Sequence, residues 1–312
     1  MRLGRKGKPD VRLFFATDMH GSTLTFRMFL SAPRFYDADA LIMGGDLTGK
    51  QVVPVDPARW DSEVAQLGDR SETQGTYLWK ATADDVARLR NDPGFERSVL
   101  NRLSCERLAR WIDRAEEVLG QTGTPCYVIA GNDDPPEMTK LLKDHDGPYM
   151  RFCEDRVLGL ADGYTVAGFG WSNPTPWDTP RELEENEVAE RLGELTRNVG
   201  DPRRAVLNIH LPPYGILDEC PALDVSVKPP RPVIKGGLPV MASVGSPSVR
   251  DVVRELGPLL ALCGHVHEAG GARKLGETLV VNPGSEYGEG ILRGALVDLR
   301  DGEVTAHRLT SG

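Results

Sequence analysis

Five short apolar segments of this chain each lead into a histidine, aspartate or asparagine, and this pattern limits the possible folds more than any other feature. The segments are Val11–Ala16, Asp39–Met43, Cys126–Ala130, Ala205–Ile209 and Leu259–Leu262. Apolar runs of this length are too short for helices and are typical of buried strands. Because open α/β sheets bind ligands outside the carboxyl ends of their strands, we expect the residues that follow these segments to converge.

The polar residues after the five segments are of types that bind metal ions. They are Asp18, His20, Asp46, Asn132, His210, His265 and His267. Imidazole nitrogens suit zinc, iron, manganese and similar divalent metals. An isolated His-x-His pair is more often a pair of ordinary surface or core histidines. Here four of the six histidines of the chain share the strand-end position, which favours a metal site.

The order of these residues carries a resemblance to a known family. Asp18-x-His20, Gly45-Asp46, Gly131-Asn132, His210 and Gly264-His265-x-His267 are similar to the five signature blocks of the calcineurin-like metallophosphoesterases. The surroundings, including residues 44–50 and 281–284, resemble the branch of predicted phosphoesterases related to bacterial cyclic-nucleotide phosphodiesterases. The resemblance implies a dinuclear metal-dependent hydrolase of phosphate esters.

The resemblance also implies an architecture. We expect a four-layer α/β/β/α sandwich of two mixed sheets with helices outside. Residues 11–312 would form a single metallophosphoesterase domain, with insertions near residues 50–100 and 171–204. Residues 1–10 would be a basic N-terminal extension.

Site roles follow from the same resemblance. One metal ion would be bound by Asp18, His20, Asp46 and His267, and the other by Asp46, Asn132, His210 and His265. Asp46 would bridge two divalent ions, which would be Mn²⁺, Fe²⁺/Fe³⁺ or Zn²⁺. A metal-bridging hydroxide would attack phosphorus in line, with a phosphodiester favoured over a monoester. Asp46, Asp133 and His210 would be the catalytic residues. Two divalent ions, two carboxylates and one hydroxide leave a charge of about +1 to attract phosphate.

The third signature block departs from the family pattern. The family has Gly-Asn-His followed by an acidic residue, whereas this chain has Gly131-Asn132-Asp133-Asp134. An ionised carboxylate at Asp133 cannot donate a proton to the leaving oxygen as an imidazole would. We therefore expect substrates whose leaving groups depart with little help, or a donor from elsewhere, with His145 as one candidate. A non-catalytic metal-binding scaffold with a degenerate site is the alternative function.

Composition restricts partners and compartment. The formal charge of −9 and the lack of a basic stripe argue against a nuclease and against broad binding to nucleic acids or anionic membranes. We expect a small-molecule phosphate ester as partner, with homo-oligomers possible. Five well-separated cysteines indicate a reducing compartment. The basic first residues precede no apolar run of signal-peptide length, so a cytoplasmic location is expected.

Several elements outside the ligand loops are also predicted. Helices are expected over residues 22–30, 104–119, 181–195 and 248–256, and a short helix with Thr82 as its cap. Residues 278–281, 295–299 and 304–309 are interpreted as three strands closing a second sheet. Residues 171–180 form either a substrate-facing lid or a solvated surface insertion, and the second is favoured. Residues 211–244 are expected to be a functional loop beside the site.

Overall fold

Two six-stranded mixed sheets form the centre of the fold. The computed structural model describes residues 9–145 and 147–312, so most of the extension expected at residues 1–10 lies outside the described residues. The strand order is β20-β19-β1-β2-β5-β6 in the first sheet and β17-β18-β16-β9-β8-β7 in the second. In chain order the strands are β1 (Val11–Ala16), β2 (Ala40–Met43), β3 (Gln51–Val55), β4 (Thr76–Lys80), β5 (Cys126–Val128), β6 (Met150–Phe152), β7 (Val157–Gly159), β8 (Thr165–Phe169), β9 (Ala205–Ile209), β10 (Glu219–Pro221), β11 (Leu223–Asp224), β12 (Arg231–Pro232), β13 (Ile234–Lys235), β14 (Leu238–Pro239), β15 (Met241–Ser243), β16 (Leu260–Leu262), β17 (Gly271–Leu275), β18 (Thr278–Asn282), β19 (Arg293–Arg300) and β20 (Glu303–Ser311).

Helices cover the outer face of each sheet. The helices are α1 (Thr23–Tyr36), α2 (Trp60–Thr73), α3 (Ala83–Asn91), α4 (Pro93–Gly120), α5 (Pro136–His145), α6 (Glu185–Thr196) and α7 (Pro247–Leu256). Apolar residues of α1, α4 and α5 share one buried cluster with β1 and β2, and residues of α6 and α7 share another with β8, β9 and β16. The predicted four-layer sandwich is therefore confirmed.

Strand β1 shows how the sequence places the layers. Its side chains alternate between two faces, as they do in any strand. Leu13 and Phe15 are buried between the two sheets, while Phe14 and Ala16 are buried under the helices of the first sheet. Because both faces are covered, the strand is apolar at nearly every position, as parallel strands in α/β folds are.

The carboxyl ends of the parallel strands lie at one edge of the sandwich. Strands β1, β2, β5 and β6 are parallel neighbours in the first sheet. Strands β8, β9, β16 and β18 are parallel neighbours in the second. All five predicted ligand segments belong to these two parallel sets, so the loops after them emerge side by side.

Most predicted helices are confirmed, with shifted boundaries. Ser22 accepts a hydrogen bond from the backbone N–H of Thr25 and begins α1, Thr82 forms a capping box at α3, and Ser246 caps α7. Helix α4 begins at Pro93, well before the expected start at residue 104. Helix α6 begins at Glu185, so the expected start at residue 181 is wrong.

The last three predicted strands form but do not close one sheet. Strand β18 pairs with β16 and β17 in the second sheet. Strands β19 and β20 form a hairpin that extends the first sheet through β1. The prediction of a common sheet is wrong, because the chain crosses from one sheet to the other between residues 282 and 293.

The long connection at residues 211–244 is not irregular throughout. It contains three two-stranded ribbons, formed by β10 with β15, β11 with β12 and β13 with β14. The side chain of Asp218 is buried at the base of this arm. Its carboxylate accepts hydrogen bonds from the backbone N–H groups of Gly215 and Gly245, and so closes the arm where it leaves the body.

Candidate metal centre

The first sheet supplies four of the predicted ligands from three loops that are joined through their backbones. The N–H of Asp18 donates to the carbonyl of Gly45 at 3.0 Å, and the N–H of His20 donates to the carbonyl of Asp46 at 2.9 Å. The N–H of Asp133, next to Asn132, donates to Oδ1 of Asp46 at 3.0 Å. These bonds hold the loops after β1, β2 and β5 at fixed separations.

Four predicted ligands have backbone conformations that side chains rarely adopt. The φ angles are 53° at Asp18, 41° at His20, 53° at Asp46 and 66° at His265. Left-handed backbone at residues other than glycine costs roughly 1–3 kcal/mol each and is concentrated at functional sites. The rest of the fold therefore holds these loops in strained conformations that aim their side chains into one space.

Two glycines of the motifs are required by close approach. A Cβ atom at Gly131 would collide with the carboxylate of Asp46, and one at Gly264 would collide with Thr17 and with the carboxylate of Asp18. The expectation that glycine lets these loops approach the site is thus met at both positions.

The seven predicted ligands come together in two groups at the sheet edge. In the first group, Nε2 of His267 is 3.3 Å from Oδ1 of Asp18 and 3.1 Å from Nε2 of His20. In the second group, Oδ1 of Asn132 is 2.8 Å from both Nε2 of His210 and Nδ1 of His265. Each group contains residues from both sheets.

Asp46 faces both groups with different oxygens. Its Oδ2 is 3.5 Å from Nε2 of His20, and its Oδ1 is 3.5 Å from Nε2 of His210. The carboxylate is buried. A side chain in this position is able to share one cation with each group.

Hydrogen bonds to carbonyls select the tautomers of two histidines. Nδ1 of His20 is 3.2 Å from the carbonyl oxygen of Thr48, and Nδ1 of His210 is 2.8 Å from the carbonyl oxygen of Gly44. A carbonyl only accepts, so Nδ1 carries a proton in both rings. When a ring is neutral, the lone pair is therefore on Nε2, which faces the site. This is the usual arrangement of metal-binding histidines, in which the second nitrogen is held by a backbone carbonyl.

The electrostatics of the site favour a cation. Burial opposes the ionisation of Asp18 and Asp46, but His267 beside Asp18 and His210 beside Asp46 outweigh it and lower the pKa of both carboxyl groups. Burial also opposes the charge of His210, yet Asp46 and Asp18 raise its pKa to about 9. Burial lowers the pKa of His265 to about 4. The two buried carboxylates offer oxygen ligands and the four imidazoles offer nitrogen ligands. This combination of ligands suits divalent metals.

In the part of the chain that the structure describes, three sets of His and Asp side chains have ligand atoms close enough to share one ion. Within each set the atoms lie within 4.8 Å of one another. The sets are Asp18, His20 and His267; Asp18, Asp46 and His210; and His20, Asp46 and Asp133. Asp18, His20 and Asp46 each occur in two of them, which agrees with a site for more than one ion.

The amide of Asn132 is oriented by residues that sequence reasoning did not select. Its Nδ2 donates to Oγ1 of Thr179 at 3.0 Å, and the Thr179 hydroxyl in turn donates to Oε1 of Glu182 at 2.6 Å. Thr179 must therefore accept from the amide nitrogen, which turns Oδ1 of Asn132 towards His210 and His265. Thr179 thus contacts a predicted ligand, so residues 171–180 are not a surface insertion that is separate from the site.

Thr179→Val is expected to weaken metal binding by about tenfold to a hundredfold, because valine keeps the shape of threonine but accepts no hydrogen bond from the Asn132 amide. Metal affinity by competition with a fluorescent chelator measures the effect. Thr196→Val, which removes a hydroxyl bonded only within α6, is the matched control and leaves the affinity unchanged. Equal affinities for both variants would show that Thr179 does not orient the ligand.

Asp134 connects the loop after β2, which carries Asp46, with the loop after β5, which carries Asn132. Its buried carboxylate accepts hydrogen bonds from the backbone N–H groups of Leu47, Thr48 and Gly131 and from the Thr48 hydroxyl. Burial raises the pKa of Asp134, and the charge of Asp46 adds to this effect. The acidic residue of the third block therefore shapes the loops and does not face the predicted ligands.

Asp133 forms an ion pair with Lys50 at the mouth of the site. Its Oδ2 is also 3.8 Å from Nδ1 of His20. Lys50 belongs to the loop that carries Asp46, but no sequence pattern assigned it a role. Nε2 of His145, the other candidate for the proton donor, lies 3.5 Å from Oε1 of Glu116. The remaining histidine outside the predicted ligands, His307, lies on β20.

Tyr287 and Asn282 also belong to the surroundings of the site. The Tyr287 ring lies 4.7 Å from the His20 ring. The amide of Asn282 donates to the carbonyl of Val266 at 2.9 Å and accepts from the N–H of Gly284 at 2.8 Å, which ties the loop of His265 and His267 to β18. Asn282 belongs to the segment 281–284 that carries part of the family resemblance. No sequence pattern indicates a role for Tyr287.

Comparison with known proteins supports the same family. A sequence model described as metallophosphoesterase, calcineurin superfamily, matches residues 229–309. The resemblance to the calcineurin superfamily is confirmed. The matched segment contains His265 and His267, while the other signature blocks of the superfamily lie outside it.

One curated protein and two solved structures extend the comparison. An uncharacterized protein of Methanocaldococcus jannaschii, MJ1162, is 30% identical over 157 residues, which are 50% of this chain and 62% of that protein. A crystal structure aligns over 96% of this chain and 98% of its own at 19% identity and a TM-score of 0.59. The protein TT1561 of Thermus thermophilus aligns over 97% of this chain and 98% of its own at 18% identity and a TM-score of 0.52. At these identities the structures show a shared fold alone.

No helix in residues 9–145 and 147–312 is long and apolar enough to cross a bilayer.

Proposed function

We propose that this protein is a dinuclear metal-dependent phosphoesterase that hydrolyses a small phosphate ester, with phosphodiesters favoured over monoesters. The observation that carries the proposal is the position of Asp46, whose two oxygens face two separate groups of nitrogen and oxygen donors. A carboxylate shared in this way is the central element of a two-metal site. Asp18, His20 and His267 would hold one ion with Asp46, and Asn132, His210 and His265 would hold the other.

The bound ions would supply a hydroxide nucleophile at neutral pH and a positive clamp for the phosphoryl oxygens during in-line attack. The residues of the chain have separate tasks. Asp46 contacts both groups of ligands and would hold the two ions at a fixed separation. The carbonyls of Thr48 and Gly44 accept hydrogen bonds from Nδ1 of His20 and His210, so the Nε2 atoms are free to bind metal. Lys50 neutralises Asp133, so that this carboxylate does not repel a phosphate at the mouth.

The preference for diesters rests on the resemblance of residues 44–50 and 281–284 to phosphoesterases related to cyclic-nucleotide phosphodiesterases. A net charge of about +1 attracts a phosphate ester of either kind. Mn²⁺, Fe²⁺/Fe³⁺ and Zn²⁺ suit the mixed imidazole and carboxylate donors.

Metal-dependent turnover of bis(4-nitrophenyl) phosphate tests the function. Protein stripped with a chelator is expected to be inactive, to regain activity with Mn²⁺, and to hydrolyse the diester with a higher kcat/KM than 4-nitrophenyl phosphate. Metal analysis of protein purified without chelator should find two ions per chain. Protein that binds the ions but hydrolyses neither ester would instead be the metal-binding scaffold, which is the function that the loss of the third-block histidine favours.

A further inference from the structure

The mouth of the site contains a charged pair that the family pattern does not include. Asp133 occupies the position of the usual histidine, and Lys50, from the neighbouring loop, pairs with it. The Lys50 side chain is 44% exposed and the Asp133 side chain 17% exposed. The pair is thus reachable from solvent while it lies against the ligand groups.

The ion pair places the ammonium group of Lys50 beside two predicted ligands. Oδ2 of Asp133, which pairs with Lys50, is 3.8 Å from Nδ1 of His20. Ligand atoms of Asp133, His20 and Asp46 all lie within 4.8 Å of one another. The ammonium group of Lys50 therefore lies next to the predicted metal centre.

The ammonium group has donors to spare. A lysine side chain carries three N–H donors, and Asp133 is the one ion-pair partner of Lys50 among the side chains of residues 9–68, 74–145 and 147–312. An ammonium that contacts a phosphate oxygen makes a charge-assisted hydrogen bond, which is stronger than a neutral one. Asp133 alone would repel the substrate, whereas the pair presents hydrogen-bond donors with no net charge.

We propose that Lys50 contacts a non-bridging or leaving oxygen of the phosphate ester and takes over the part of the missing histidine, and that Asp133 is a positioning residue that holds the ammonium over the site. This inference rests on the proposed function. Lys50 would provide the hydrogen-bond donor that an aspartate at position 133 cannot supply. Substrates would be restricted to those whose phosphate oxygen reaches Lys50 in the loop between β2 and β3.

Titration calorimetry of inorganic phosphate into Mn²⁺-loaded protein tests the inference, with metal content measured for every variant. Lys50→Met is expected to weaken phosphate binding by about tenfold to a hundredfold, because a hydrogen bond to a charged group is lost. Lys50→Arg keeps the charge and should restore most of the affinity. Metal content stays at the wild-type level in both, since Lys50 is not a ligand.

Two further variants separate recognition from structure. Asp133→Asn leaves Lys50 charged but no longer held, so phosphate binds at least as tightly as in the wild type while kcat for bis(4-nitrophenyl) phosphate falls. Lys140→Met removes a lysine that pairs with Asp144 on the exposed side of α5. It is the matched control and should change phosphate affinity by no more than about twofold, because exposed ion pairs contribute little.

The outcomes are distinguishable from those of the proposed function. Lys50→Met that binds phosphate like Lys140→Met, or that loses metal, overturns the inference, as does a wild type that binds no phosphate. A wild type that binds phosphate but hydrolyses no ester overturns the proposed function, and the same titration still decides the role of Lys50.

Discussion

Asp46→Ala is expected to abolish metal-dependent hydrolysis and to lower the content of both ions together. The two oxygens of this carboxylate face the two sets of predicted ligands, so neither set is complete without it. Loss of the metal clamp and nucleophile should reduce kcat/KM for bis(4-nitrophenyl) phosphate by at least about 10³-fold, since each metal contributes several kcal/mol. Metal analysis and steady-state kinetics on the same preparation measure both effects.

The control for Asp46→Ala must carry the same backbone strain. Asp162 has a φ of 53°, like Asp46, and lies exposed in the turn between β7 and β8. Asp162→Ala therefore introduces alanine into the same left-handed conformation away from the site, and it should leave metal content and turnover unchanged. An Asp46→Ala protein with wild-type metal content would show that this carboxylate does not bridge two ions.

Arg181→Met is expected to destabilise the fold by about 3–5 kcal/mol, because it leaves the carboxylate of Glu154 buried without a counter-charge. Both side chains of the pair are only 3% exposed. Oε2 of Glu154 also accepts from the N–H of Ala130 at 3.2 Å, and the N–H of Arg181 donates to the carbonyl of Asn132 at 3.2 Å. The pair thus supports the loop that presents Asn132.

Urea denaturation of metal-free protein measures this loss without the contribution of metal binding. The double variant Arg181→Met with Glu154→Gln should recover much of the stability, since no charge is then buried alone. Arg114→Met breaks an exposed pair with Glu117 and should cost less than about 1 kcal/mol. If Arg181→Met costs no more than Arg114→Met, the buried pair has no structural importance.

The sequence by itself determined the buried strands and the edge where the polar residues meet, whereas the two-sheet sandwich is what the family resemblance implies. In β1, the alternation of Leu13 and Phe15 with Phe14 and Ala16 is enough to indicate a strand covered on both faces. Strand-end position then predicts that Asp18, Asp46 and Asn132 share an edge, because the carboxyl ends of parallel neighbours always do. These patterns involve residues that are close together in the sequence, so the amino-acid sequence alone is enough to recognise them.

Only the tertiary structure decided which sheet the last strands join. The hairpin of β19 and β20 has a pattern that suits either sheet, and it extends the first because the edge of β1 is open to it. Strand pairing depends on which edge is available, and that is a property of the assembled sheets and not of the strand sequence.

The tertiary structure also decided which charged residues leave solvent. Residues 181–195 carry many charges and their pattern predicts one helix, yet Arg181 is buried against Glu154 and the helix begins only at Glu185. Likewise, nothing in the spacing of Lys50 and Asp133 indicates that they pair. Periodicity reports the average environment of a segment. The pairing of two distant charges depends on how the loops are brought together, which only the folded chain establishes.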